Sequence, residues 1–200
     1  MTEQSAEPDT RQRRRHLFVD SLYRYNAALG GERHHAAEAR RVLARLRRSF
    51  AGPRQEAEAY DVVFQHDPPE IEQEIWLLLA GLFALHPQPR PRGDKHGSLG
   101  TAMQELARQR GDTVDRRFQQ LLATDRYALP HYLRQAVQLL RADNVAVDYT
   151  RLLDDLVVIL GPHSQDEDVR RTRLRWARDY HRRPRNEKTS APETESPSNA

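Results

Sequence analysis

Apolar residues recur every three or four positions along most of this chain, a period that confines it to helices. After Thr113, winding the segment as a helix brings Val114, Phe118, Leu121 and Leu122 onto one stripe and leaves Arg116 and Arg117 away from it. No stretch alternates apolar and polar residues as a half-buried strand does. Gly30-Gly31, Gly52-Pro53, His66-Asp67-Pro68-Pro69 and Gly161-Pro162 punctuate the pattern. The fold class is therefore all-α, with about eight short-to-medium helices.

The spans follow from the punctuation. A first helix is expected from Arg14 to Leu29 with Leu17, Leu22 and Tyr25 facing inward, and a second from His35 to Phe50 with Ala39, Leu43, Leu46 and Phe50 as its stripe. A shorter helix takes up AEAYDVVFQ, and Glu70 to Leu85 forms the most hydrophobic one, central to its half of the core. The Pro/Gly-rich run 87–97 then separates an N-terminal helical half, 13–86, from a C-terminal one, 98–183. In that second half Ser98 and Asp148 are placed to cap helices and Pro130 to sit in a first turn, while Asp166, Glu167 and Asp168 favour the N-terminus of the last helix. Residues 1–12 and 184–200 have too little apolar content to pack and are expected to be disordered.

Charge narrows the function. The formal net charge is +3, but residues 1–10 and 187–200 are acidic, and setting them aside leaves about +8 on 11–186. Of 32 basic residues only Lys95 and Lys188 are lysine. Guanidinium forks suit bidentate phosphate contact, although G- and C-rich codons also enrich arginine, so position carries more weight than number. Arg41, Arg45 and Arg48 fall opposite the second helix's apolar stripe; Arg134 and Arg141 fall beside Leu133 and Val137; Arg171, Arg175, Arg178 and Arg182 line the last helix. Any wet helix face carries charge, but several of these faces are mainly cationic, as a surface following a nucleic-acid backbone requires.

Other chemistry finds little support. There is no cysteine, hence no disulfide, thiolate nucleophile or thiolate metal ligand. No apolar run reaches the length that spans a bilayer, and the basic N-terminus lacks an apolar signal core, so a cytoplasmic location is expected. His66-Asp67 has the order of a phosphohydrolase metal pair but runs directly into Pro68-Pro69. His34-His35 has no evident third ligand, and adjacent Asp154-Asp155 diverge by about 100° on a helix. The remaining histidines have no serine or cysteine partner, and GDKHGSLG lacks the spacing of a phosphate-binding loop. The chain reads as a binder with no catalytic residues, metal or cofactor.

The order of several segments resembles one family. SLG at Ser98–Gly100, DRRFQQLLATDR at Asp115–Arg126, LPHYLRQAVQLL at Leu129–Leu140, VDYTRLLDDL at Val147–Leu156 and RRTRLRWARDYHR at Arg170–Arg182 are similar to the CasB family. Its members are the small subunit of the type I-E CRISPR surveillance complex, Cascade. The resemblance implies an all-helical protein in two halves, present as two head-to-tail copies, that does no chemistry. It implies contact with backbone and large subunits, with the guide RNA and target strand, and with the displaced strand of the R-loop. It places nucleic-acid contacts at Arg116, Arg117, Arg126 and Arg134, at Arg170 and Arg171 opening the last helix, and at Lys95 beside His96 in the loop before SLG. The acidic tails depart from the family pattern, as does Glu70 where some members carry a base. Two other readings fit the residues alone: a helix-turn-helix regulator using the turn at Gly111-Asp112 and the Gln119-Gln120 face, and a scaffold whose arginines only solubilise it.

Overall fold

A computed structural model describes residues 6–92, 97–111 and 113–182. Among the described residues every regular element is helical: α1 (Ala6–Ala28), α2 (Arg33–Arg48), α3 (Pro53–Ala57), α4 (Tyr60–Phe64), α5 (Gln73–Leu85), α6 (Leu99–Arg110), α7 (Thr113–Ala123), α8 (Leu129–Ala142), α9 (Tyr149–Leu160) and α10 (Asp166–Tyr180). Two 3-10 turns, Ser49–Ala51 and Glu70–Glu72, extend α2 and lead into α5.

The hydrophobic sequence of α5 makes it the centre. From Ile75 to Leu85 all but Leu78 are buried, because α2, α4, α8 and α9 pack around it. Trp76 is fully buried and stacks on Phe18 of α1 at 4.6 Å between ring centroids, while Phe83 meets Tyr23 edge-on at 5.5 Å. One apolar cluster runs continuously from Phe18 to Tyr180, so the two sequence halves share a core across the connecting loop.

Two buried carboxylates give each half a polar anchor. Glu72 accepts from the Trp76 indole at 3.0 Å and from Arg15 at 2.6 and 2.9 Å. Asp155 accepts from the Trp176 indole at 2.5 Å and from the Arg175 guanidinium. Both carboxylates thus have charged and neutral donors, the condition under which burial is tolerated. Arg15 also reaches Asp154 at 3.5 Å, tying α1 to α9.

Close approach explains one motif. A Cβ on Gly100 would lie 1.9 Å from the Trp176 carbonyl oxygen, so α6 and α10 can cross at this distance only with glycine there. Ser98 stands at the N-cap position of α6, yet its hydroxyl donates to Asp179 Oδ2 at 2.8 Å and clamps that crossing, where a cap was expected. Asp148 does cap α9, accepting from the Arg151 amide at 3.1 Å, and Pro130 lies in the first turn of α8.

Several expectations are corrected. The first helix begins at Ala6, eight residues before Arg14, and Leu17 is 52% exposed. The buried stripe is Phe18, Val19, Leu22 and Tyr23, because the rings of Phe18 and Tyr23 contact Trp76 and Phe83 and set the helix phase. The third helix is two, α3 and α4, split where Arg45 Nε donates to the Glu58 carbonyl at 2.8 Å and draws that group out of helical bonding. The start of the connecting loop is packed: Gln88 is buried and donates to Asn144 at 3.0 Å, and Arg90 pairs with Asp20 while lying 5.0 Å from the Tyr23 ring centre. Lys95 and His96 lie outside the described residues, as do most residues of the tails.

Candidate nucleic-acid interface

The arginines of this fold divide by partner. Burial and geometry commit some of them to structure. Arg173 of α10, whose guanidinium pKa is lowered by burial, donates to the Leu122 and Thr124 carbonyls at 3.0 and 2.6 Å and satisfies the C-terminal end of α7. Arg47 donates to the Ala84 carbonyl at 2.9 Å at the end of α5. Arg45, from the cationic face expected on α2, pairs with Asp61 and holds that carboxyl below the usual carboxylate range. Arg175, from the stripe expected on α10, turns inward to Asp155. These faces are therefore less cationic than sequence periodicity implies, because tertiary neighbours supply carboxylates that the helix itself does not.

The expected contact residues fall into three groups. Arg116 and Arg117 are exposed on α7 and have no hydrogen-bond or ion partner among the described residues. Arg170 and Arg171 are exposed on α10 but sit one turn after acids, with Glu167 at 3.8 Å and Asp168 at 3.3 Å. Exposed pairs of this kind contribute roughly 0–1 kcal/mol and exchange readily for phosphate. Arg126 and Arg134 are engaged within the fold. The Arg126 guanidinium donates to the Leu160 carbonyl at 2.5 Å and the Gly161 carbonyl at 3.3 Å, so it closes the C-terminus of α9. Arg134 lies 5.0 Å from the centre of the Phe50 ring, linking α8 to the turn after α2 with its charge still exposed.

Exposed arginines without a hydrogen-bond or ion partner among the described residues also occur outside the expected set, among them Arg24 of α1, Arg33 and Arg40 of α2, Arg54 of α3 and Arg141 of α8. Local sequence accounts for some of this. Arg33, Arg40, Arg117 and Arg141 have no carboxylate three or four positions away, whereas Arg41, Arg108, Arg170 and Arg171 each have one and pair with it.

No group of three histidine, aspartate or glutamate side chains converges among the described residues. Asp154 and Asp155 diverge, Asp154 facing Arg15 and His16 while Asp155 faces Arg175 and Trp176. Asp67 adopts a positive φ of 50° and pairs with Arg14 at 2.8 Å. No described helix is long and apolar enough to cross a membrane.

Known proteins match this arrangement. A Cse2 protein of Thermus thermophilus is 36% identical over 110 residues, an alignment spanning 55% of this chain and 57% of that relative. The crystal structure of a Thermus thermophilus Cse2-family protein superposes with a TM-score of 0.60 at 31% identity, over 80% of this chain and 96% of the other. CasB of Thermobifida fusca gives 0.64 at 27% identity, over 84% and 98%. A chain from a CRISPR RNA-guided surveillance complex shares the fold at 20% identity, with a TM-score of 0.62 over 86% and 93%. The family model described as CRISPR-associated protein Cse2 matches residues 42–181, and the chain belongs to that family.

Proposed function

We propose that this protein is the non-catalytic small subunit of a type I-E Cascade complex. Two copies bridge the backbone subunits and meet the large subunit. Their arginines hold phosphates of the guide RNA, the target strand and the displaced strand of the R-loop. Exchanging a DNA duplex for an RNA–DNA heteroduplex is nearly balanced in free energy, so phosphate contacts to the opened strands tip it. Arg116 and Arg117 carry this reading: two consecutive exposed arginines on α7, with no carboxylate partner among the described residues. Solubility alone asks for mixed surface charge, whereas two consecutive cations without an acidic partner suit a phosphate backbone.

The test is R-loop formation by Cascade assembled with wild-type chain or with R116A/R117A, over a series of salt concentrations. Each lost single-strand phosphate contact flattens the plot of log K against log[salt] by about 0.7, so the double variant should lose roughly 1.4 from the slope. R126A serves as control: its guanidinium is occupied by the end of α9, so the slope should stay near wild type. An unchanged slope and affinity in an assembled R116A/R117A complex would refute the role given to these two residues.

A further inference from the structure

The loop between α7 and α8 holds a tyrosine that the fold does not use. Tyr127 is 88% exposed, well above Leu174 at 53% and Leu17 at 52%, the next most exposed large apolar side chains among the described residues. Its hydroxyl has no hydrogen bond and its ring no aromatic neighbour there.

The backbone beneath it is fastened from several directions. Asp125 Oδ1 accepts from the amides of Tyr127 and Ala128 at 2.8 and 2.9 Å, and the Asp125 carbonyl accepts from the Leu129 amide at 3.1 Å. Arg126 grips the end of α9, and Arg173 reaches in from α10 to the Thr124 carbonyl. Neighbouring residues are thus spent on fixing the loop while the ring is left in water. An aromatic ring on a held backbone has only two side-chain torsions to lose when something covers it.

The surroundings select what covers it. A protein hot spot is ringed by further apolar contacts, whereas the loop and the first turns of α8 expose no other large apolar side chain. The helices on either side of the loop carry exposed arginines, Arg116 and Arg117 on α7 and Arg134 on α8. An exposed ring between two helices that carry exposed arginines suits a single strand, the cations taking phosphate and the ring taking a base face. Asp125 disfavours phosphate directly beside the ring, which assigns Tyr127 to the base. Duplex bases are already stacked on one another and offer no free face.

We infer that Tyr127 is a stacking platform for one unpaired base, giving this subunit a preference for single-stranded over duplex nucleic acid. The inference rests on the nucleic-acid role proposed above and adds a contact that is not electrostatic. Full-length wild-type chain, Y127A and Y127F are titrated against an oligonucleotide carrying 2-aminopurine, against the same strand with abasic sites, and against its duplex. Y127A should bind the intact strand roughly 10-fold more weakly, with the salt slope unchanged because no phosphate contact is lost. Y127F should retain both affinity and fluorescence quenching, and abasic strands should bind wild type and Y127A alike. Equal binding of the intact strand by Y127A and wild type overturns the inference, as does an equal loss on abasic or duplex DNA. A defect confined to assembly with neighbouring subunits overturns it in favour of a protein contact. Wild-type chain that binds no strand refutes the underlying nucleic-acid reading, whereas weakening by R116A/R117A but not by Y127A refutes the stacking alone.

Discussion

Replacing Gly100 with alanine tests the α6–α10 crossing by a single methyl group. The new Cβ would stand 1.9 Å from the Trp176 carbonyl oxygen and 2.7 Å from its carbon, both backbone atoms that no rotamer change can remove. Ordinary contact begins near 3.4 Å, so the helices must part by about 1.5 Å. Overpacking of this kind costs about 1–3 kcal/mol. Two hydrogen bonds cross the same contact, Ser98 to Asp179 at 2.8 Å and Gln104 to the Tyr180 carbonyl at 2.7 Å, and stretching them costs up to about 1 kcal/mol each. Against this, alanine favours the helix over glycine by about 1 kcal/mol. The net expectation is about 2 kcal/mol of destabilisation, a fall in Tm of roughly 4–8 °C for a domain of this size. Urea and thermal unfolding followed by circular dichroism measure it directly. G30A is the control: the nearest atom to its Cβ is 4.0 Å away, so stability should change by no more than about 0.5 kcal/mol. A G100A protein as stable as wild type would show that α6 and α10 do not cross at the distance described.

Two further outcomes follow from buried polar groups. D155A leaves the Trp176 indole without its partner and removes the carboxylate from Arg175, and should cost about 3–5 kcal/mol by chemical denaturation, the usual effect of breaking a buried pair. His86 is buried, and burial lowers its pKa below 6.5 even though its Nε2 donates to the Val145 carbonyl at 2.8 Å; half-buried His66 is shifted the same way. The unfolded chain then takes up protons first as pH falls, so stability is complete above about pH 6.5 and declines below it. Urea midpoints between pH 7.5 and 5.5 should show this decline, smaller in H86Q, and an identical slope in H86Q would remove His86 as a source.

The sequence alone determined the helical class, most element boundaries and the family, because these depend on local periodicity, capping and segment order. Val114, Phe118, Leu121 and Leu122 were legible as inward residues of α7; the first three are buried and Leu122 is half-buried. Arg116 and Arg117 were legible as outward residues, and both are exposed. Helix phase was less legible where two faces compete: Leu17 and Phe18 are neighbours 100° apart, and the rings of α5 select Phe18. The roles of Arg126, Arg173 and Arg175 could not be read locally, because their acceptors lie 34, 51 and 20 residues away on other helices. A guanidinium has the same sequence signature whether it faces solvent, a helix C-terminus or a buried carboxylate. Only packing the helices against one another settles which arginines are consumed by the fold and which stay exposed without a partner among the described residues, because a charge is neutralised by its neighbours in space.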